Sequence, residues 1–249
     1  MRTPITLLVS VLIVGAVGTE GWASDRDAGF AKAMGLYAQR ADVTQHVAAV
    51  SALSELAEAH PSDREVQLWC ARTASYAAHR IFDTTVKKKV ASRGVKCAQR
   101  MLDANPNDYD GRMWWILCRL RYEAGGNPID ALKAAPRFKV FIAKMIKSAP
   151  KRAAAYMMLG VLMRELPGDP VSFGDPARAL KLLQRADKLA PNQPEILLEL
   201  ALGYAKLERL DEARATYRRC IDKGVAQKGL EWESDDARKY AAKMLAEMD

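Results

Sequence analysis

Three histidines and four cysteines are the residues of this 249-residue chain best suited to hold a metal or act as nucleophiles. The histidines, His46, His60 and His79, form no HxxxH or HExxH pair, and none stands at zinc-site spacing from a cysteine. The sequence also has no Gly-rich phosphate loop and no GxSxG motif. Because catalysis needs positioned acids, bases or nucleophiles, we predict a protein that is not an enzyme and has no metal or cofactor site.

The cysteines, Cys70, Cys97, Cys118 and Cys220, form no CxxC pair. An even number of cysteines permits disulfides if the chain is exported. We prefer buried free thiols that pack as small apolar side chains. If a bridge exists, Cys70–Cys97 is the candidate pair, since both residues fall within one predicted helical pair.

The elements that would position these side chains are marked by four evenly spaced prolines. Pro61, Pro106, Pro150 and Pro191 lie 45, 44 and 41 residues apart, and each ends a similar sequence segment. A fixed period of this length indicates a stacked helical array. No stretch alternates apolar and polar residues as a strand would, so we predict an all-α fold.

One unit of the array shows a large–small packing pattern. Leu200 and Ala201 form a large–small pair, Tyr204 follows at helical spacing, and Ala213 and Tyr217 repeat the pattern on a second helix. This unit resembles a tetratricopeptide repeat. The resemblance implies a tetratricopeptide-like α-solenoid of about four to five antiparallel helix pairs with a C-terminal capping helix.

The same small slot recurs through the chain, and the ends of the array carry their own signals. We place Cys70, Cys118, Gly160 and Ala201 in equivalent positions of four first helices. Residues 24–40 are predicted to form an opening helix, and Ser234, Asp235 and Asp236 to begin the closing one.

Residues 166–176 are too rich in proline and glycine to continue a helix, and the role of this loop around Phe173 is left open. After the loop, Asp175 is expected to cap a helix that starts at Pro176.

A narrower resemblance covers residues 141–245. The segment 143–150, the long loop that contains Phe173, and an acidic opening at Asp235 before a last helix follow one another in this order. That order resembles the regulator of microtubule dynamics proteins and the periplasmic T-component of tripartite ATP-independent (TRAP) transporters. The resemblance implies an alternative function, the binding of a small apolar or amphipathic ligand.

The N-terminus has the pattern of a secretory signal peptide. Arg2 precedes an almost wholly apolar run over residues 5–18, and small residues stand before a cut after Ala23. We predict a signal peptide over 1–23, a repeat domain over 24–249, and a periplasmic or secreted protein. The alternative is an uncleaved anchor, which would be the chain's one contact with a membrane.

The resemblance to a tetratricopeptide repeat implies a concave inner wall lined by first helices, and this wall is the predicted partner site. The partner-contact residues are Arg112, Trp115, Arg119, Tyr122, Met157, Val161, Arg164, Leu198, Leu202 and Lys206. An apolar groove edged by arginines suits a protein or peptide partner, or a small apolar ligand with an acidic end. In the alternative, the array closes or a terminal helix fills the groove, and these residues are ordinary core.

The net charge of +8 favours an acidic partner or an anionic surface. Because the chain is predicted to be exported, we do not expect nucleic acid as its partner. The basic run Lys87, Lys88 and Lys89 is either a docking patch or a solvated helix face. We therefore predict an exported helical-repeat scaffold that binds a protein or peptide partner through its concave face.

Overall fold

A computed structural model describes residues 20–124, 128–226 and 229–248 of the chain. These residues form eleven helices and no strand, which confirms the all-α prediction for this part of the chain. None of these helices is both long and apolar enough to cross a membrane. In chain order the helices are α1 (Glu20–Ala38), α2 (Val43–Ala59), α3 (Arg64–Arg80), α4 (Thr84–Ala104), α5 (Tyr109–Ala124), α6 (Pro128–Ser148), α7 (Ala153–Glu165), α8 (Pro176–Leu189), α9 (Pro194–Lys206), α10 (Leu210–Lys223) and α11 (Glu231–Ala246).

The helices stack as five antiparallel pairs, from α1/α2 to α9/α10, and α11 packs on α9 and α10. This arrangement confirms the predicted solenoid with its capping helix. We call α1, α3, α5, α7 and α9 the first helices and their partners the second helices. Pro61, Pro106, Pro150 and Pro191 each lie between one pair and the next, so the proline period marks the pair boundaries.

Arg–Asp pairs join the N-terminal ends of successive first helices. Arg26 Nε of α1 donates to Asp63 at 2.8 Å, and Arg64 Nε of α3 donates to Asp108 at 2.6 Å. Burial alone would raise the pKa of Asp108, but hydrogen bonds from Arg64 and from the backbone N–H of Gly111 lower it below its ordinary value. These charge-assisted bonds fix the register of parallel first helices.

A disulfide joins the two helices of the second pair. Cys70 of α3 is bonded to Cys97 of α4, with a Cα–Cα distance of 6.1 Å that suits such a bridge. Our preference for free thiols is therefore wrong for these two residues, and the candidate pair is confirmed. Cys118 and Cys220 are buried free thiols, and burial raises their pKa values to about 12 and about 11.

The predicted small slot is occupied as expected in two later pairs and not in α5. A Cβ at Gly160 would lie 2.8 Å from Leu183 of α8, and Ala201 is fully buried against α10. Cys118 instead faces the preceding pair, where its thiol lies 3.2 Å from the carbonyl oxygen of Ala71. The equivalence of Cys118 with the other slots is wrong, because the face of α5 that it occupies packs on α3.

Two predicted helix starts have different outcomes. Asp175 accepts the backbone N–H of Arg178 at 2.9 Å and caps α8, whose first residue is Pro176, as predicted. The closing helix begins at Glu231 rather than at Ser234, because Gly229, with φ of 79°, turns the chain just before it.

At the N-terminus the opening helix is present as α1, which begins at Glu20. Its start lies within the predicted signal peptide, and cleavage after Ala23 stays a prediction. Residues 125–127, between α5 and α6, lie outside the described residues.

Candidate functional site

A cavity of about 480 Å³ lies between the N-terminal halves of α5, α7 and α9. We call it the inner cavity. Its walls are mainly apolar and include Met113, Trp114 and Leu117 of α5, Met157 of α7 and Ile196 of α9. These side chains reach it because residues three, four and seven apart share one face of a helix. The inner cavity is an apolar volume that these described residues do not fill.

The rim of the inner cavity carries both signs of charge. Asp110 of α5 and Glu195 of α9 provide carboxylates, and Lys151 and Arg152 before α7 provide cations. Arg152 donates to Asp110 at 3.0 Å, so one pair of opposite charges is already joined at the rim. Gln193 adds an amide with both donor and acceptor atoms. A ligand with polar groups beside an apolar part would find partners for both here.

A short segment before and within α11 lies across the inner side of the first pairs. We call residues 229–234 the C-terminal strap. Its Glu233 side chain is 3% exposed and accepts from Tyr37 Oη at 2.6 Å and from Arg40 Nε at 3.0 Å. Burial and the Glu233 carboxylate raise the pKa of Tyr37. The strap thus joins the last helix of the described chain to the first.

Two arginines hold the strap from the side of α3. Arg72 donates to the carbonyl oxygen of Gly229. The guanidinium of Arg80 lies 4.6 Å from the centroid of the Trp232 ring, and Arg40 lies 5.7 Å from the same ring. These distances are within the range of cation–π attraction. The first pairs therefore hold the strap by charge and aromatic contacts together.

The strap and the inner cavity are continuous. Leu230 of the strap lines the cavity, and Ser234 Oγ donates to the rim residue Glu195 at 2.7 Å. Tyr76 of α3 also lines the cavity and packs edge-on against Trp114, with ring centroids 5.7 Å apart. The alternative that a terminal helix fills the groove therefore holds beside α1 and α3. Beside α5, α7 and α9 a cavity remains.

The ten predicted partner-contact residues lie on several surfaces. Met157 lines the inner cavity. Trp115 and Arg119 line a separate pocket of about 360 Å³ between α5 and α6. Arg164 is buried and donates to Glu199 of α9 at 2.7 Å, so it joins two first helices.

The other predicted residues are spread further. Leu198 and Leu202 pack on the apolar cluster shared by α9, α10 and α11, and Val161 packs on α8. Tyr122 packs on α3 and α4, Arg112 donates to the carbonyl oxygen of Pro106, and Lys206 is exposed. The structure thus separates residues that we expected on one wall, and their contact with a partner stays a prediction.

Sequence reasoning missed Met113, Leu117 and Tyr76, which line the cavity. A signal for them was present, because Met113 stands seven residues after Pro106, as Met157 does after Pro150. The placement of Cys118 in the small slot shifted the register of α5 and turned the expected wall toward α6. When positions are counted from Pro106 and Pro150, Met113 and Met157 become equivalent, and the face of α5 that lines the cavity is the expected one.

The titratable groups of the described residues include no cluster of three His, Cys, Asp or Glu side chains that could hold a metal ion. One cation is conspicuous instead. The Nε of Arg121 is buried and has no hydrogen-bond partner among these residues, and burial lowers the pKa of this guanidinium. Arg121 lies one turn beyond Leu117 on α5, so a buried cation lies close to the cavity lining.

Comparison with known proteins identifies the repeat. Residues 171–224, which include α8, α9 and α10, match the family model of the tetratricopeptide repeat. This segment is similar to a tetratricopeptide repeat, and the other described helix pairs stack in the same way. Repeats of this type generally bind protein partners. No curated protein matches the sequence.

Solved structures support the fold. TTC0263, a thermophilic TPR protein of Thermus thermophilus, matches with a TM-score of 0.62 and 18% identity over 87% of this chain and 98% of that chain. PilF of Pseudomonas aeruginosa matches with a TM-score of 0.49 and 18% identity over 92% and 94% of the two chains. The MamA protein matches with a TM-score of 0.44 and 14% identity over 78% and 91%.

The likeness to TTC0263 supports the fold alone at this identity, and the other two are too distant to support an argument. The narrower resemblance of residues 141–245 to the regulator of microtubule dynamics proteins and the TRAP-transporter T-component is not supported by these comparisons.

Proposed function

We propose that the protein is an exported scaffold that binds a protein partner through an extended peptide segment held in the inner cavity. The observation that carries this proposal is the inner cavity itself, an unfilled apolar volume on the inner side of a tetratricopeptide-type array. Such arrays use extended concave surfaces for binding.

The size and rim of the cavity favour a peptide segment. A volume of about 480 Å³ lies within the usual range for ligand sites and holds a few apolar side chains rather than a whole helix. The backbone of an extended peptide presents N–H and C=O groups, which need both acceptors and donors. Asp110, Glu195 and Gln193 offer acceptors, and Lys151 and Gln193 offer donors. We therefore expect large apolar side chains in the cavity and the peptide backbone at the rim.

Two features support export. The N-terminal residues have the pattern of a signal peptide, and the Cys70–Cys97 disulfide suits an oxidising compartment. A periplasmic or secreted location is therefore part of the proposal. The test is to express the intact chain in a bacterium, recover the protein from the periplasm and measure the mass of the mature chain. Recovery tests the location, and the mass shows whether the chain is cut after Ala23.

The test of the binding site uses a displayed library of extended peptides and two cavity variants. Met157→Asp and Met113→Asp each put a carboxylate into the apolar wall from a different helix. Wild-type protein should select peptides with large apolar residues, and both variants should bind these peptides with an affinity lower by about tenfold or more. Val171→Asp is the matched control, because Val171 is an exposed apolar residue that does not line the cavity. Circular dichroism and urea unfolding check that each variant folds.

The proposal fails if folded Met157→Asp and Met113→Asp select the same peptides as the wild type. Native mass spectrometry of protein purified from its own periplasm addresses the small-ligand alternative. A small apolar molecule that is retained by the wild type and lost from both variants would favour that alternative over the peptide.

A further inference from the structure

Exposed apolar side chains recur along one edge of the array. Because the first helices run parallel, the turns that join each first helix to its second helix lie along the same edge. Each pair has at least one exposed large apolar residue at or near this turn, and one from each pair forms the row Val43, Phe82, Ile129, Val171 and Leu210. We call this row the turn edge. Phe82, between α3 and α4, is the most exposed of them, at 96%.

Positive charge is concentrated beside Phe82. From Arg80 to Arg100 the chain has seven lysines and arginines and a single acid, Asp83. Asp83 accepts the backbone N–H of Val86 at 2.8 Å and caps α4, so its charge is directed to a helix end. Lys89 is exposed and Lys87 and Lys88 are half-buried, and all three lie in the first two turns of α4. An almost fully exposed aromatic ring thus stands next to a strongly basic helix.

The spacing of the apolar residues distinguishes between two kinds of surface. Adjacent packed helices lie about 8–10 Å apart, so the apolar tips of successive pairs are separate points rather than one patch. A protein interface needs a contiguous, well-packed apolar core. Separate apolar tips among polar residues instead suit shallow insertion into the headgroup layer of a bilayer, where aromatic rings are favoured. Lysines beside them suit anionic lipids.

We propose that the turn edge docks on an anionic phospholipid surface, with Phe82 inserted among the headgroups and with Lys87 and Lys89, near the start of α4, facing lipid phosphates. This contact is separate from the inner cavity, whose lining residues do not include those of the turn edge. The protein therefore has one surface for a membrane and a different one for its partner.

The experiment is sedimentation of the purified exported protein with vesicles of phosphatidylglycerol and phosphatidylcholine in equal parts, and with phosphatidylcholine alone. Wild-type protein should sediment with the anionic vesicles and not with the neutral ones. Phe82→Asp should weaken binding by about tenfold or more, because it removes the inserted ring. The double variant Lys87→Glu/Lys89→Glu should weaken it by a similar factor and remove most of its salt dependence.

Matched controls are available on other surfaces. Val225→Asp changes an exposed apolar residue that follows α10, and Lys181→Glu/Lys188→Glu changes two exposed lysines on α8. These controls should bind within about twofold of the wild type, because single surface charges far from the bilayer are screened.

Three results would overturn the proposal. The first is a wild-type protein that does not sediment with anionic vesicles. The second is Phe82→Asp binding as tightly as the wild type, which would assign any binding to general charge or to a retained apolar N-terminal segment. The third is an equal loss in Phe82→Asp and Val225→Asp, which would show that position on the molecule is irrelevant.

Discussion

The inner side of the array has two regions that differ in what covers them. Beside α1 and α3, the inner side is closed by the C-terminal strap through Glu233, Arg72 and Trp232. Beside α5, α7 and α9, the inner side is apolar and borders an unfilled cavity. The same repeated helix pair provides both regions. The comparison shows that charged and aromatic side chains hold the strap on one region of the inner side, and that the apolar region is left uncovered by the described residues.

Removal of the Glu233 carboxylate should break the closed region with the largest effect. In Glu233→Ala, Tyr37 and the mostly buried Arg40 lose their acceptor, and loss of one partner of a buried ion pair costs about 4 kcal/mol of unfolding free energy. Urea unfolding measures this loss. Asp235→Ala is the control, since its pair with Arg238 is exposed and is expected to contribute less than about 1 kcal/mol. Equal losses in the two variants would contradict the account of the strap.

Reduction of the disulfide should weaken the same closed region by a slightly smaller amount. Cys70 and Cys97 are 27 residues apart, and a bridge that closes a loop of this length contributes about 3 kcal/mol, largely by restricting the unfolded chain. The urea midpoint of the wild type should therefore fall when a phosphine reductant is added. The variant Cys70→Ser/Cys97→Ser should show a low midpoint that the reductant does not change. A midpoint that stays constant in the wild type would show that the bridge adds no stability.

Acid should also weaken the closed region, through a histidine beneath it. His46 is fully buried, with its ring centroid 5.7 Å from that of Tyr37, and burial and then Arg80 lower its pKa to about 4. The unfolded chain binds a proton near pH 6.5, whereas the folded chain does so only near pH 4. Stability is therefore fully present above about pH 6.5 and declines as pH falls toward about 4. The part of this loss that is due to His46 should be about 2 kcal/mol by about pH 4.5.

Urea unfolding of the wild type and of His46→Phe at about pH 7 and about pH 4.5 measures this effect. His46→Phe keeps a ring in the core and has no proton to gain, so it should lose about 2 kcal/mol less than the wild type between the two pH values. An identical pH dependence in both proteins would assign the acid sensitivity to other groups.

The smallest effect is expected from truncation of a side chain in the open region. Met157 is half-buried and faces the inner cavity, so Met157→Ala should cost no more than about 1 kcal/mol. Met145 of α6 is fully buried, and Met145→Ala should cost about 3 kcal/mol because it leaves a new void in the core. Urea unfolding compares the two. Similar losses would show that Met157 is part of the core and that the cavity is not an open site.

The architecture could be predicted from the sequence because it depends on local and periodic signals. Four prolines mark the pair boundaries, and Asp175 with Pro176 marks the start of α8. Each of these residues affects only the backbone a few positions away in the chain, because proline fixes its own φ angle and Asp175 caps the helix that follows it. Stacked pairs also contact only their neighbours, so a correct local pattern is enough to predict the array.

The site was harder to predict for two physical reasons. A helix turns by about 100° per residue, so a small error of register on α5 moved the expected wall from Met113 and Leu117 to Trp115 and Arg119. The strap depends on contacts such as Tyr37 with Glu233, which are 196 residues apart in the chain. No local pattern predicts such a contact, and the acidic residues near Ser234 were interpreted as a cap.

The link between α1 and α11 also limits how this array can change its length. An open solenoid can gain or lose a repeat, because each repeat rests only on those beside it. Here Glu233 meets Tyr37 and Arg40 only if the stacked pairs rotate the last helix to the right place. Insertion of a further pair would carry Glu233 away from both residues and break these contacts. The number of pairs is therefore set by the requirement that the two ends meet.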